Sequence, residues 1–149
     1  MDSNKVELAI KRFNSGYSCA QAVFSTYSKD FGLPFDVACK LSSALGGGIG
    51  GQAYTCGALN GAALIIGLKF GSSKQGDKES KEKVYNLVRK LFNRFNEIHK
   101  STQCKELLNC DISTAEGFLQ AHNLSFFKTK CPEFVHSASI ILEDILNSV

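Results

Sequence analysis

The sequence predicts an all-α protein, a single compact bundle of about six to seven helices with a glycine-rich loop before the central one. Three observations lead there. Apolar residues recur at three-and-four spacing through most of the chain, and no stretch alternates apolar with polar as a strand does. Helix start signals stand ahead of the apolar runs: Ser18 with Gln21, Ser113 with Glu116, and Pro132. The most apolar segment, Ala58 to Leu68, is apolar all round, as a helix buried on every side must be.

Taken in order, Val6, Ile10 and Phe13 share one face of a first helix from about Lys5, ending near Gly16. Ser18 and Gln21 form a capping box for a second, carrying Ala22, Val23, Phe24 and Tyr27 and ending at Gly32. Pro34 and Asp36 open a third, Val37 to Leu45, which the glycine loop stops. Thr55 is the expected N-cap of the central helix, Cys56 to Phe70. Ser72 to Lys83 is polar and lysine-rich, an exposed connection. Beyond it Val84, Leu87, Val88, Leu91, Phe92, Phe95 and Ile98 mark an amphipathic helix. A short helix follows over Cys104 to Leu108, capped by Ser101 or Thr102. Ser113 and Glu116 then cap one carrying Phe118 and Leu119. Pro132 opens the last, with Phe134, Val135, Ala138, Ile141, Leu142 and Ile145. No repeat, low-complexity segment or domain boundary interrupts the 149 residues, so one domain is expected.

The stretch GGGIGGQAYTCGALNG, residues 46–61, has seven glycines in sixteen positions. Glycine loses the most backbone freedom on folding, so such a cluster implies conformations or close approaches that a Cβ forbids. The cysteines suggest what is approached. Cys19 follows Ser18, Cys56 follows Thr55, Cys104 falls in the first turn of its helix, and Cys131 precedes Pro132 as N-cap. Four of the six cysteines therefore stand at helix N-termini, where unpaired N–H groups and the macrodipole favour thiolate, the form that acts as nucleophile and metal ligand. On this reading all four are thiolates at neutral pH, and Gly50, Gly51 and Gly57 face the group they bind. Cys39, inside a helix, and Cys110, past a helix C-terminus, read as structural.

Other chemistry finds less support. GGGIGG has no strand before it and no GK[ST] after it, against nucleotide binding. There is no CxxC, no CxxCH and no zinc-finger spacing. His99, His122 and His136 have no paired spacing and read as surface or capping residues. His136, about one turn beyond Cys131, is the one placed to act as a further ligand or proton donor. A net charge of +3, with lysines and glutamates mixed, gives no nucleic-acid face. The N-terminus lacks a secretory h-region and the apolar run is too short to span a bilayer, so a cytoplasmic protein without membrane insertion is expected. Small residues on the central helix permit close packing, across a homodimer as well as within the chain.

GYSCAQAV (16–23 with its leading glycine), GGGIGG followed by TCGALNGA, CKELL and the late Cys131 resemble the redox-active proteins named for their C-GCAxxG-C-C pattern. The resemblance covers nearly the whole chain and puts the four pattern cysteines on Cys19, Cys56, Cys104 and Cys131. The CGAxxG core falls on Cys56, Gly57, Ala58 and Gly61. Ala53 and Tyr54 depart from the pattern, which has a glycine and an acidic residue there, and Cys110 is an addition. A similar helical module resembles part of the split-Soret cytochromes, whose cysteines hold an iron–sulfur centre. The resemblance implies redox function: the four cysteines hold an iron–sulfur cluster, [2Fe–2S] first, and exchange electrons with a redox partner protein, or they cycle between dithiol and disulfide without metal. A zinc or other soft-metal binding module is the non-redox alternative.

Overall fold

The computed structural model describes residues 3–149, and every regular element in them is helical. In chain order these are α1 (Ser3–Asn14), α2 (Cys19–Ser28), α3 (Phe35–Ser42), α4 (Gly57–Phe70), α5 (Lys78–His99), α6 (Cys104–Leu108), α7 (Ala115–Asn123), α8 (Phe126–Thr129) and α9 (Cys131–Ser148). Turns of 3₁₀ helix, Lys29–Phe31 and Ser43–Leu45, extend α2 and α3. Among the described residues the only β pairing is an isolated antiparallel bridge, Thr55 to Gln103. None of the described helices is long and apolar enough to cross a membrane.

α4 is the centre, as its all-round apolarity requires. It packs against α2, α5 and α9, and Leu59, Ala62, Ile65 and Ile66 are fully buried. α1 lies across α2 and α9, and α3 lies against α2. The α2–α4 contact is the tightest. A Cβ built on Gly61 would stand 2.7 Å from the Ala20 carbonyl oxygen and 3.1 Å from Val23 Cβ. The small residues Gly57, Ala58, Gly61 and Ala62 are all buried inside the chain.

The element starts show where local signals were overridden. Ser18 and Gln21 form the expected box: Ser18 Oγ accepts from the Gln21 N–H at 3.2 Å, and Gln21 Oε1 accepts from the Ser18 N–H at 3.0 Å. Thr55, by contrast, is not the N-cap of α4; the backbone of Thr55 pairs with Gln103 and Cys56 itself is the cap. Gln103 rather than Ser101 or Thr102 caps α6, and Thr114 rather than Ser113 caps α7, its hydroxyl accepting from the Gly117 N–H. Cys131 is the first helical residue of α9, behind Lys130, instead of the cap. α5 begins at Lys78, so half of the expected exposed connection is helix. Asp77 caps it, accepting from the Ser80 N–H at 3.1 Å. The single turn α8 has no apolar repeat and was not expected.

The α2–α4 contact yields a paired expectation. Gly→Ala inside a helix ordinarily stabilises by about 0.5–1 kcal/mol. Gly67→Ala, with open space where its Cβ would go, should show that gain in urea melts. Gly61→Ala should instead destabilise by ~1–3 kcal/mol, because its methyl must push α2 away. Equal effects at the two positions would mean that α2 and α4 are not in backbone contact at Gly61.

Candidate functional site

Cys19, Cys56, Cys104 and Cys131 line one small cavity of about 20 Å³, and Gly57, Leu107, Leu108 and Phe134 complete its wall. That is room for about one water-sized body. The wall has no carboxylate, histidine, lysine or arginine. Its chemistry is therefore that of sulfur in apolar surroundings.

Each sulfur is delivered by a helix start. Cys19 is the first residue of α2 and Cys56 the N-cap of α4, so the tight α2–α4 contact brings these two together. Gly57 makes this approach feasible: a Cβ there would fall inside contact distance of the Cys19 sulfur and 3.2 Å from the Ala20 nitrogen. Cys104 opens α6, which is docked on the segment before Cys56. The Cys104 N–H donates to the Tyr54 carbonyl at 2.6 Å, the Lys105 N–H to Ala53 at 3.2 Å, and the Cys56 N–H to Thr102 at 2.9 Å. Cys131 opens α9, which packs against α4 and α2.

The glycine loop acts on this arrangement through residues other than the expected ones. Gly50 and Gly51 do not line the cavity, and their N–H groups are used inside the loop, on the Ala44 and Gly46 carbonyls at 2.7 and 3.2 Å. They serve the winding of the loop, with φ of 61° and 74°. Gly47 does not line the cavity either, but it is the loop glycine whose N–H acts on Cys19, opposing the rise of that thiol's pKa together with the N–H groups of Ala20 and Gly57. Gly48 sets the next link. A Cβ on it would meet the Tyr54 nitrogen at 2.5 Å, and its carbonyl accepts from the Tyr54 N–H at 2.9 Å. Tyr54 in turn receives Cys104, so the loop connects three of the four cysteines. Asn60 was not foreseen either. Its amide donates to the carbonyls of Leu45 and Thr55 at 3.2 and 3.1 Å, clamping both ends of the loop to α4. A lone amide in the otherwise apolar GALNGAALIIG was the signal available for it.

Helix position predicts thiolates, and the structure reverses that prediction for the metal-free protein. Burial pushes the Cys19 thiol up, although the N–H groups of Gly47, Ala20 and Gly57 oppose it. Burial, then the charge of Cys19, drives Cys56 well above the usual thiol value. Burial followed by Cys19 takes Cys104 up to about 12, and Cys131 is raised by burial and by Cys19 and Cys104, with Lys130 opposing. Desolvation and mutual repulsion outweigh the helix termini.

The remaining candidates lie elsewhere. Cys39 is half-buried on α3 and Cys110 is buried after α6, its thiol donating to the Gly117 carbonyl at 2.8 Å; neither lines the cavity. His136 is exposed and lies in a separate hollow with His99 and Glu133, so it does not reach the cysteines as a further ligand. His99 bonds Ser137 Oγ at 2.8 Å and packs edge-on against Phe134, and burial lowers its pKa. His122 is exposed on α7. Among the described residues no three His, Cys, Asp or Glu side chains are grouped so as to hold one metal ion.

Two measurements test this geometry. In reduced, metal-free protein, Cys104 should alkylate slowly at pH 7 and accelerate between pH 9 and about 12. A folded pKa above the unfolded 9.0 contributes stability that is complete below pH 9 and lost as pH rises toward 12. Melting temperature should therefore fall across that window; rapid labelling near pH 7 would show that the helix termini win. For the loop, Gly48→Val should speed Cys104 alkylation severalfold by breaking the Tyr54 link. Gly51→Val, with open space around it, should cost about 1–3 kcal/mol of backbone strain and leave that rate unchanged. Equal rates in the two variants would separate the loop from the cysteines.

Comparison with known proteins agrees with the cysteine pattern. No curated protein and no solved structure matches the chain. A family model does, over residues 17–145, described as "Putative redox-active protein (C_GCAxxG_C_C)". That span runs from just before Cys19 to near the end of α9 and includes all four cavity cysteines. The chain belongs to the C_GCAxxG_C_C family of redox-active proteins.

Proposed function

We propose that Cys19, Cys56, Cys104 and Cys131 are the ligands of one iron–sulfur centre of [2Fe–2S] type and that the protein carries single electrons for a partner protein. One observation carries the reading: four cysteines from four helix starts line a single cavity whose other walls are apolar. Four thiolates are the usual ligand set of such a centre, and soft sulfur selects it over hard cations. Among the described residues no three such side chains are grouped to hold one metal ion as they stand, so a single zinc ion and a cluster alike would require the sulfurs to rearrange.

The chain's part follows from its own residues. Each thiol must release its proton on loading, so loading becomes more favourable as pH rises. The N–H groups of Gly47, Ala20 and Gly57 lie toward the Cys19 sulfur, where they stabilise negative charge. Leu107, Leu108 and Phe134 exclude water from the sulfurs. With about 20 Å³ between them, the sulfurs must part on loading, and the five-residue α6 is the smallest element that has to shift. Once bound, the centre supplies a one-electron couple.

A second reading has one observation in its favour: the cavity's present size suits bare thiols. In it, two of the four lose two electrons and two protons to form a disulfide, and a disulfide on a partner is reduced to two thiols. Anaerobic purification and reconstitution with iron and sulfide separate the readings. The expected result is a coloured protein with about two irons and two acid-labile sulfides per chain. Serine at any of the four positions should abolish that content, while Cys39→Ser and Cys110→Ser keep it. Colourless protein that loses two free thiols on oxidation would establish the second reading. Stoichiometric zinc without colour would end both.

A further inference from the structure

At the opposite end of α2, α4 and α9 from the cysteines lies a pocket of about 440 Å³, walled by Tyr27, Phe31, Lys69 and Glu143 together with Lys5 and Asp30. Its size is that of a small-molecule site. Glu143 is only 4% exposed. Its Oε1 accepts a hydrogen bond from the Tyr27 hydroxyl at 2.8 Å, while Oε2 is buried with no partner. One turn earlier on the same face of α9, Ser139 Oγ is also buried and unpartnered. Unused buried acceptors are costly, so folds rarely keep them without an occupant or a purpose.

The charges on the wall define what would fit. Lys5 ion-pairs with Asp30 and stands over the Tyr27 ring, so that pair is neutral as a unit. Lys69 donates to the neutral Leu146 carbonyl at 2.9 Å, and neither ion pair among the described residues includes it. Among the described residues, Glu143 and Lys69 thus line the same volume and neither is in an ion pair, Lys69 standing over the Phe70 ring.

We propose that this pocket binds a small zwitterion, its ammonium group on Glu143 and its carboxylate on Lys69, as a free aminocarboxylate would. A diamine would bring like charge to Lys69, and a dicarboxylate would bring it to Glu143. None of the residues involved belongs to the cysteine cavity, so the proposal stands apart from the redox reading.

The test titrates the full-length protein with the series from glycine to 6-aminohexanoate and follows its ¹H–¹⁵N spectrum. Succinate and 1,4-diaminobutane are the controls carrying one sign of charge. At least one aminocarboxylate should shift the amides of Tyr27, Lys69 and Glu143 saturably and bind roughly tenfold or more tighter than either control. Glu143→Gln and Lys69→Met should each weaken it roughly tenfold or more. Lys69 is an exposed side chain, so its variant remains informative even if Glu143→Gln fails to fold. The proposal is overturned if no member of the series saturates by about 10 mM, a Kd near the weak end of specific binding. A control that binds as tightly as the best aminocarboxylate, or a Lys69→Met protein with undiminished affinity, overturns it as well.

Discussion

The approach of α2 to α4 at Gly57 and Gly61 is the constraint on which the rest of the molecule depends. With a Cβ at Gly61 the Ala20 carbonyl and Val23 would be displaced, and with one at Gly57 the Cys19 sulfur would have no place. Two helices that touch this closely fix both their separation and their register, because small residues leave no side-chain layer to adjust. Register is what the cysteines need. It aligns the first residue of α2 with the cap of α4, so that Cys19 and Cys56 meet. The glycine loop then carries that alignment onward. Asn60 ties both ends of the loop to α4, Gly48 holds Tyr54, and Tyr54 holds the first N–H of α6.

Two electrostatic effects oppose each other at the site. Helix N-termini lower a thiol's pKa, yet enclosing four sulfurs among Leu107, Leu108 and Phe134 raises it, and each thiolate raises the others. Desolvation acts on every buried group fully, whereas a terminus contributes at most two or three N–H groups to a sulfur. The outcome for the metal-free protein is a set of neutral thiols, of which Cys19 and Cys56 alone have backbone N–H groups opposing the rise. Such a site is quiet in the metal-free protein. That behaviour distinguishes it from an exposed, activated cysteine, which has the donors without the desolvation.

Much of this was legible from residue order alone, and the failures have a common cause. The capping box at Ser18, the central place of α4 and the opening of α9 near Pro132 are local or compositional facts, and the structure keeps them. The nearness of the cavity cysteines to helix starts was legible for the same reason. Thr55 failed as a cap because its backbone pairs with Gln103, far along the chain, and no local pattern encodes that partner. The first turns of α5 went unseen because they bury no apolar face, so periodicity had nothing to report. The loop's glycines were indistinguishable as letters. Only three dimensions separate Gly47 and Gly48, which touch the site's framework, from Gly50 and Gly51, which shape the turn. Thiol ionisation has no local signature, because burial is a property of the assembled core.

The three long-packed helices also give the molecule a direction. α2 and α9 begin at a cysteine and α4 directly after one, and their far ends carry Tyr27, Glu143 and Lys69. Cys131 and Glu143 are twelve residues apart on one helix, about 18 Å at the helical rise. Apolar side chains such as Val23, Ile65 and Ile141 fill the space between and carry no charge or hydrogen bond from one end to the other. Sites separated in this way are normally independent in energy. The polar pocket therefore has no electrostatic reason to exist as support for the sulfurs, and its buried carboxylate cannot be explained as their counter-ion or proton acceptor. Whatever keeps Glu143 in that position acts locally, at the far end of the bundle.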